Sequence, residues 1–351
     1  MSTPPKDTGL AGALPWVRRR FVWRWLVVVA VAAAFAAHAL SWAERRTVLP
    51  PERLSLAVST TPHAALLHLA QAQGYFADAG LDVSVTRVSH GKAALDLLIE
   101  GRVDLAAATE VPFVIGVLEG QPLRVVSSML SASEELAVVA RQDRGITAPT
   151  DLIGKRIGVT FGTSGDYFLW AFLTRHKLRP ERVTLVDVGP GSMVSELLQG
   201  TIDAASLWQP VRRAAEAALG PNGVTFTAAD AYTVTHLMVG QASLLEARPA
   251  AARKLVRALL DAEEFARAQP RHARAVVARQ LQLDTSALEA DWPLLEFRVD
   301  LRQSQLVTWE DEARWAMARG HARPGLVPNF LWHLHLDALE ATRADRVTIV
   351  H

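Results

Sequence analysis

The chain has 351 residues, room for one to three domains, and half of them are hydrophobic, so a sizeable core can be buried. Its 37 lysines and arginines balance 36 aspartates and glutamates, which argues against a nucleic-acid binder and its excess basic face. No cysteine is present, so disulfides, zinc–thiolate sites, thiol catalysis and a lipid-modified cysteine are excluded.

At the amino terminus Arg18, Arg19, Arg20 and Arg24 precede an uncharged run of 18 residues from Trp25 to Trp42. A basic flank before an apolar stretch is the pattern of an export signal or a membrane anchor, with the basic side left in the cytoplasm. Ala37-His38-Ala39 offers a small-x-small cleavage site, and Arg18-Arg19 before Phe21 weakly resembles a twin-arginine signal. Cleavage and retention both remain open. Residues 1–45 are expected to be this flank plus signal peptide or anchor, and everything after about 45 to lie outside the cytoplasmic membrane.

From Leu54 onward β-rich runs alternate with amphipathic ones. Leu54–Ser59, Leu81–Val88 and Val103–Ala108 read as strands. Ala64–Gln73, Lys92–Glu100 and Val111–Glu119 read as helices stopped by Gly74, Gly101 and Gly120. The same order then repeats with strands Arg156–Thr160, Val183–Val188 and Ile202–Leu207 around helices Asp166–His176 and Met193–Gln199. Leu98–Ala106 matches Leu197–Ala205, the turn Ser89–Lys92 falls opposite Gly189–Ser192, and Ser59–His63 falls opposite Thr160–Ser164. Three matches at offsets of 99 to 101 residues predict two similar α/β lobes with parallel strands. Glu135–Arg141 and His236–Gln241 are further strand-like runs suited to crossovers between lobes. The rest, from about Ser243, reads as helix, clearest in Pro249–Ala268, with Leu255, Leu259, Ala262 and Phe265 on one face. The expected division is 54–142 for the first part of lobe 1, 143–238 for lobe 2, and 239–351 for the return to lobe 1 with C-terminal helices.

Binding loops of open α/β sheets lie at the carboxyl ends of the strands, and two facing lobes form a cleft. The candidate ligand contacts are therefore Thr60, Thr61, His63, His90, Thr109 and Glu110 in the first lobe, with Lys92 as a further positive charge. In the second they are Thr163, Ser164, Gly165, Asp166, Ser192, Trp208 and Gln209. Gly162-Thr163-Ser164-Gly165 opens a helix, whose free N–H groups and dipole attract an anion. A plain N-cap explains the same residues. Trp208 suits stacking on a planar or apolar part of a ligand, or simple packing. Glu110 and Asp166 beside an anion-suited loop fit a zwitterion such as taurine.

Gly74-Tyr75-Phe76-Ala77-Asp78-Ala79-Gly80-Leu81-Asp82-Val83, the unit Gly91 to Ala108, and Asp151-Leu152-Ile153-Gly154-Lys155-Arg156-Ile157-Gly158-Val159 carry a family resemblance. Over about 54 to 240 the chain resembles the periplasmic nitrate/sulfonate/taurine-type solute-binding proteins of ABC importers. The resemblance implies an α/β, two-lobed periplasmic binding protein type II fold, here with a helical C-terminal extension and an N-terminal transmembrane or signal helix. It implies hinge closure on a small organic or inorganic anion (sulfonate, taurine or nitrate-like) and delivery to a permease and ATPase. It places Thr61, Thr109, Ser164 and Trp208 near the ligand and the protein in the periplasm, exported across or anchored to the bacterial inner membrane. The family's pyrimidine-precursor enzymes carry a cysteine cluster, which this sequence lacks.

No P-loop, Gly-x-Ser-x-Gly elbow or His-Glu-x-x-His motif occurs, and Gly189-x-Gly191 lacks a third glycine, which should fall at Val194. His333-x-His335 sits among Trp332, Leu334 and Leu336 and reads as packing. No cofactor, metal or catalytic residue is expected. The alternative to import is a membrane-anchored sensor using the same cleft.

Overall fold

The computed structural model describes residues 50–350 and Val31. The expected signal or anchor segment lies outside the described residues. Among the described residues no helix is long and apolar enough to cross a membrane.

Residues 51–350 carry two mixed sheets. The first orders its strands β11-β4-β10-β3-β1-β2, where β1 is Glu52–Ser59, β2 Leu81–Val88, β3 Leu105–Thr109, β4 Leu123–Ala132, β10 Val234–Gln241 and β11 Glu296–Phe297. The second orders its strands β7-β6-β8-β5-β9, with β5 Ala137–Arg141, β6 Arg156–Val159, β7 Thr184–Asp187, β8 Ala204–Leu207 and β9 Gly223–Thr227. In each sheet the first strand of the repeat is flanked by two parallel partners, β1 by β2 and β3, β6 by β7 and β8. In each, an antiparallel strand follows, β10 beside β3 and β5 beside β8. The two runs expected as crossovers thus each complete a sheet: β5 as the chain enters the second lobe, β10 as it returns to the first.

The repeated Gly-x-Val/Ile-Asp unit has a mechanical role. Asp104 Oδ2 accepts the Ser55 N–H at 2.8 Å, and Asp203 Oδ2 accepts the Arg156 N–H at 2.9 Å. Each aspartate pins the middle strand of its parallel trio, at mid-strand in β1 and at the first residue of β6, by satisfying a backbone donor that would otherwise be lost to the ladder.

The helices in chain order are α1 Ala65–Gln73, α2 Tyr75–Asp78, α3 Gly91–Ile99, α4 Glu110–Leu118, α5 Ser164–Arg175, α6 Met193–Gln199, α7 Val211–Leu219, α8 Ala242–Ala247, α9 Pro249–Ala268, α10 Pro270–Leu281, α11 Thr285–Asp291, α12 Gln303–Arg319 and α13 Asp337–Arg343. The amphipathic α9 buries Leu255, Leu259 and Ala262 in one core with Leu56 and Leu69, so the tail packs on the first sheet. The tail is less uniformly helical than expected, because β11 and the stretch around Pro324 to Pro328 interrupt it. Strand β4 carries the buried serines Ser127, Ser128 and Ser131. Ser128 Oγ donates to the Asp300 carbonyl oxygen at 2.9 Å. A strand satisfied in this way by a distant segment lacks the apolar alternation that marks a strand in sequence.

Trp309 and Trp315 are buried, whereas Trp332 is 76% exposed. His333 Nδ1 lies 2.9 Å from the Leu123 carbonyl oxygen, a packing role for that histidine.

Candidate ligand site

A cavity of about 40 Å³ lies where the strand-end loops of both sheets meet. One buried water centre needs about 10–15 Å³, so the space takes a few waters or the head of a small anion. The first lobe contributes Thr61 and His63 after β1, His90 and Lys92 at the start of α3, and Thr109 at the end of β3. The second contributes Thr163, Ser164 and Gly165 at the start of α5, and Trp208 after β8.

Two glycines make this approach possible. A Cβ on Gly165 would lie 3.2 Å from the Trp208 ring, so the indole rests directly on the first turn of α5. A Cβ on Gly91 would lie 3.1 Å from the Ala108 Cα and from the Thr109 nitrogen, so α3 starts against the end of β3. The backbone there cannot yield as a flexible side chain can.

At the head of α5 the hydroxyl of Thr163 donates to the Thr160 carbonyl at 2.7 Å and does not cap the helix. Ser206 Oγ donates to the Gly165 carbonyl at 2.7 Å and holds the loop from below. Thr163, Ser164 and Gly165 line the cavity at this helix start, where free N–H groups and the positive end of the dipole suit an oxyanion.

On the opposite wall His90 Nδ1 lies 2.8 Å from Ser89 Oγ, and its ring centroid is 6.4 Å from that of Trp208. Burial, assisted by the charge of Lys92, holds His90 below the usual histidine range. Lys92 is tied to Asp96 on the next turn of α3, 3.0 Å away.

Five expected contacts do not line the cavity. Thr60 is exposed and its hydroxyl donates to the Val88 carbonyl at 3.3 Å. Ser192 is exposed beyond β7. Gln209 is buried with its Oε1 accepting the Arg213 N–H at 3.3 Å. The Asp166 carboxylate turns back to accept the Gly162 N–H at 3.0 Å and meets His321 Nε2 at 2.9 Å. Glu110 is fully buried, accepts the Thr235 N–H at 2.8 Å and takes a hydrogen bond from the Tyr232 hydroxyl at 2.5 Å. Burial, against the pull of these hydrogen bonds, raises the Glu110 carboxyl to about 8. A carboxyl held neutral near pH 7 and turned away from the cavity does not serve as the partner of a ligand ammonium, contrary to the expectation from sequence.

The sequence reading missed Ser59, Glu135 and His236, all of which line the cavity. Glu135 lies between β4 and β5, and His236 is the third residue of β10. Glu135 is in contact with His63 Nε2 and lies 4.0 Å from His236 Nε2. Burial works to raise its carboxyl, but the neighbouring His63 and His236 outweigh this and bring it to about 2. Both residues come from segments that occur once in the chain, so the internal repeat gave no signal for them.

The taurine-binding periplasmic protein of Escherichia coli K12 is 29% identical over 168 residues, 47% of this chain and 51% of that protein. The chain therefore spans about half the length of that relative. A 4-amino-5-hydroxymethyl-2-methylpyrimidine phosphate synthase of Saccharomyces cerevisiae is 28% identical over 145 residues, 41% of this chain and 42% of the enzyme. Among solved structures, the periplasmic aliphatic sulphonate binding protein of Escherichia coli superposes with a TM-score of 0.70 at 16% identity, over 82% of this chain and 99% of that one. The shared architecture is the α/β two-lobed periplasmic binding protein fold. The NMT1/THI5-like family model matches residues 61–273, more than half of the sequence, and the chain belongs to that family.

Proposed function

We propose that this chain is the extracytoplasmic solute-binding subunit of an ABC importer. It takes a small anion, of the sulfonate, taurine or nitrate kind, into the cleft between its lobes. The observation that carries this reading is the small cavity walled by both sets of strand-end loops, with the first turn of α5 and Trp208 on one side and Lys92 on the other. The names of the similar taurine- and sulphonate-binding proteins support the same ligand class.

The lobes are joined by two crossovers, between Ala132 and Ala137 and between Thr227 and Val234. Rotation about these two segments is the hinge motion that admits and encloses the ligand. Export or anchoring by residues 18–42 brings the protein to the periplasmic side, where it delivers its ligand to a permease driven by a cytoplasmic ATPase.

Thermal unfolding against taurine, alkanesulfonates, nitrate, bicarbonate, amino acids and pyrimidine precursors tests this. A ligand that binds only the folded state at a hundred times its dissociation constant adds about 2.7 kcal/mol. A raised midpoint with one small anion supports the reading and names its class. A response to a pyrimidine precursor alone, or to nothing, contradicts it.

A further inference from the structure

We infer that His63, Glu135 and His236 form a binding site for zinc or a similar divalent transition ion, opening on the cavity. Their ligand-type atoms all lie within 4.8 Å of one another. Their residues are 4%, 2% and 8% exposed. His63 Nε2, Glu135 Oε2 and His236 Nε2 are buried and make no hydrogen bond to any group outside the trio.

The arrangement can hold a cation. His63 Nδ1 lies 3.0 Å from Thr61 Oγ1, which is itself 2.8 Å from Ser59 Oγ. With the Nδ1 proton donated to that hydroxyl, the Nε2 lone pair faces the Glu135 carboxylate; with the proton on Nε2, that N–H donates to the carboxylate instead. In the first tautomer a positive centre between the buried lone pair and the carboxylate removes their repulsion. His236 is stacked on His63, with ring centroids 4.6 Å apart and planes 14° from parallel, and its Nε2 is also turned to Glu135. One dication shared by two imidazole nitrogens and one carboxylate satisfies all three at once.

The donor set indicates the ion. Two nitrogens and one oxygen suit zinc and its neighbours in the first transition row, and do not suit magnesium or calcium, which take oxygen. Tetrahedral bonds of about 2.0–2.1 Å set ligand atoms roughly 3.3 Å apart, within reach of small side-chain adjustments here. The Thr61 hydroxyl orients His63 as an outer hydrogen-bond partner does in metal centres. The fourth position faces the cavity, as in zinc sites that bind an exogenous ligand. An anion there would otherwise meet the bare Glu135 carboxylate; this last point rests on the solute-binding reading.

The test is zinc uptake by the full chain, dialysed against Zn²⁺, then against metal-free buffer, followed by metal analysis and competition with a chromogenic chelator. One Zn²⁺ per chain, not displaced by excess Mg²⁺, is expected. His63→Gln and His236→Gln should each weaken zinc binding by roughly a hundredfold or more, and Thr61→Val by about tenfold, the range for loss of an outer partner. Co²⁺ loaded into the unaltered chain should give the strong visible absorption of a low-coordinate site, a readout that does not depend on any variant folding. No retained zinc, a six-coordinate cobalt spectrum, or equal zinc uptake by the double variant His63→Gln/His236→Gln overturns the site. Anion titrations with and without zinc separate the two readings. Anion binding without zinc uptake removes the metal site and leaves the solute reading; zinc uptake without any anion response does the reverse.

Discussion

The two walls of the cleft are built on one plan and equipped differently. Both sheets have the same strand order around β1 and β6, and each of these strands has one N–H pinned by an aspartate. On the second wall the polar groups belong to the repeated unit itself: Thr163, Ser164 and Gly165 after β6, and Trp208 after β8. On the first wall the repeated loops supply Thr61, His63 and His90, and single-copy segments add Glu135 and His236. The difference shows that a duplicated scaffold sets where groups can be placed, while the carboxylate at the site comes from a segment outside the sequence repeat.

The largest expected effect comes from closing the gap between α3 and β3. Gly91→Ala places a Cβ 3.1 Å from backbone atoms that cannot move alone. A loss of about 1–3 kcal/mol is expected, the usual cost of overpacking, measurable by urea unfolding. On the other wall Gly165→Ala is tight only against the Trp208 ring, at 3.2 Å, with the Thr163 hydroxyl at an ordinary 3.5 Å, and the indole can tilt. A stability loss of about 1 kcal/mol or less, with a clear loss of anion affinity, is expected there. Equal costs at the two glycines would break the comparison.

The pinning aspartates sharpen it. Asp104→Asn and Asp203→Asn should each cost about 1–2 kcal/mol, since each weakens a charge-assisted bond to a strand N–H. Burial works to raise the Asp203 carboxyl, but its bonds to Arg156 outweigh this and hold it low. A depressed carboxyl contributes stability above the unfolded-state value that is lost as pH falls. Asp203→Asn should therefore matter most above pH 4 and progressively less as pH falls below it, read from unfolding midpoints along that range. A cost at Asp203 with none at Asp104 would mean that the two lobes are not anchored alike.

The smallest effect is a slope. Glu110 is raised to about 8, and Glu312, buried beside it with Tyr232 3.3 Å away, is raised well above the usual range, both mainly by burial. A raised carboxyl contributes stability that is complete below the unfolded-state value of about 4.5 and is lost as pH rises through its folded value. Stability should fall from pH 5 to pH 8. Glu110→Gln should flatten that fall in part and Glu110→Gln/Glu312→Gln further, in denaturant titrations at pH 5, 7 and 9. An unchanged slope in the double variant would remove these carboxyls as its cause.

The repeat made the scaffold legible from sequence. Leu81–Val88, Met193–Gln199 and Pro249–Ala268 have the bounds read from periodicity, and most other elements shift by one or two residues. β4 was missed because its buried Ser128 is satisfied by Asp300, some 170 positions away, a partnership that no local pattern reveals. The site was legible where it lies on repeated strand ends, as at Thr163 to Gly165. Glu110 was read as a ligand contact because an acid at a strand end looks available; its burial against Tyr232 and Thr235 depends on a loop more than a hundred residues distant. Glu135 and His236 were read only as parts of crossover strands, since neither belongs to a motif and the two come together only when β5 and β10 join opposite sheets.

Hydrogen–deuterium exchange of the full chain, with and without the panel of small anions, tests most directly whether both walls hold one ligand. The expected result is slowed exchange at 59–63 and at 162–166 together, in the presence of the same compound. Protection of one wall alone, or of neither with every compound, would contradict a cleft that closes on a small anion.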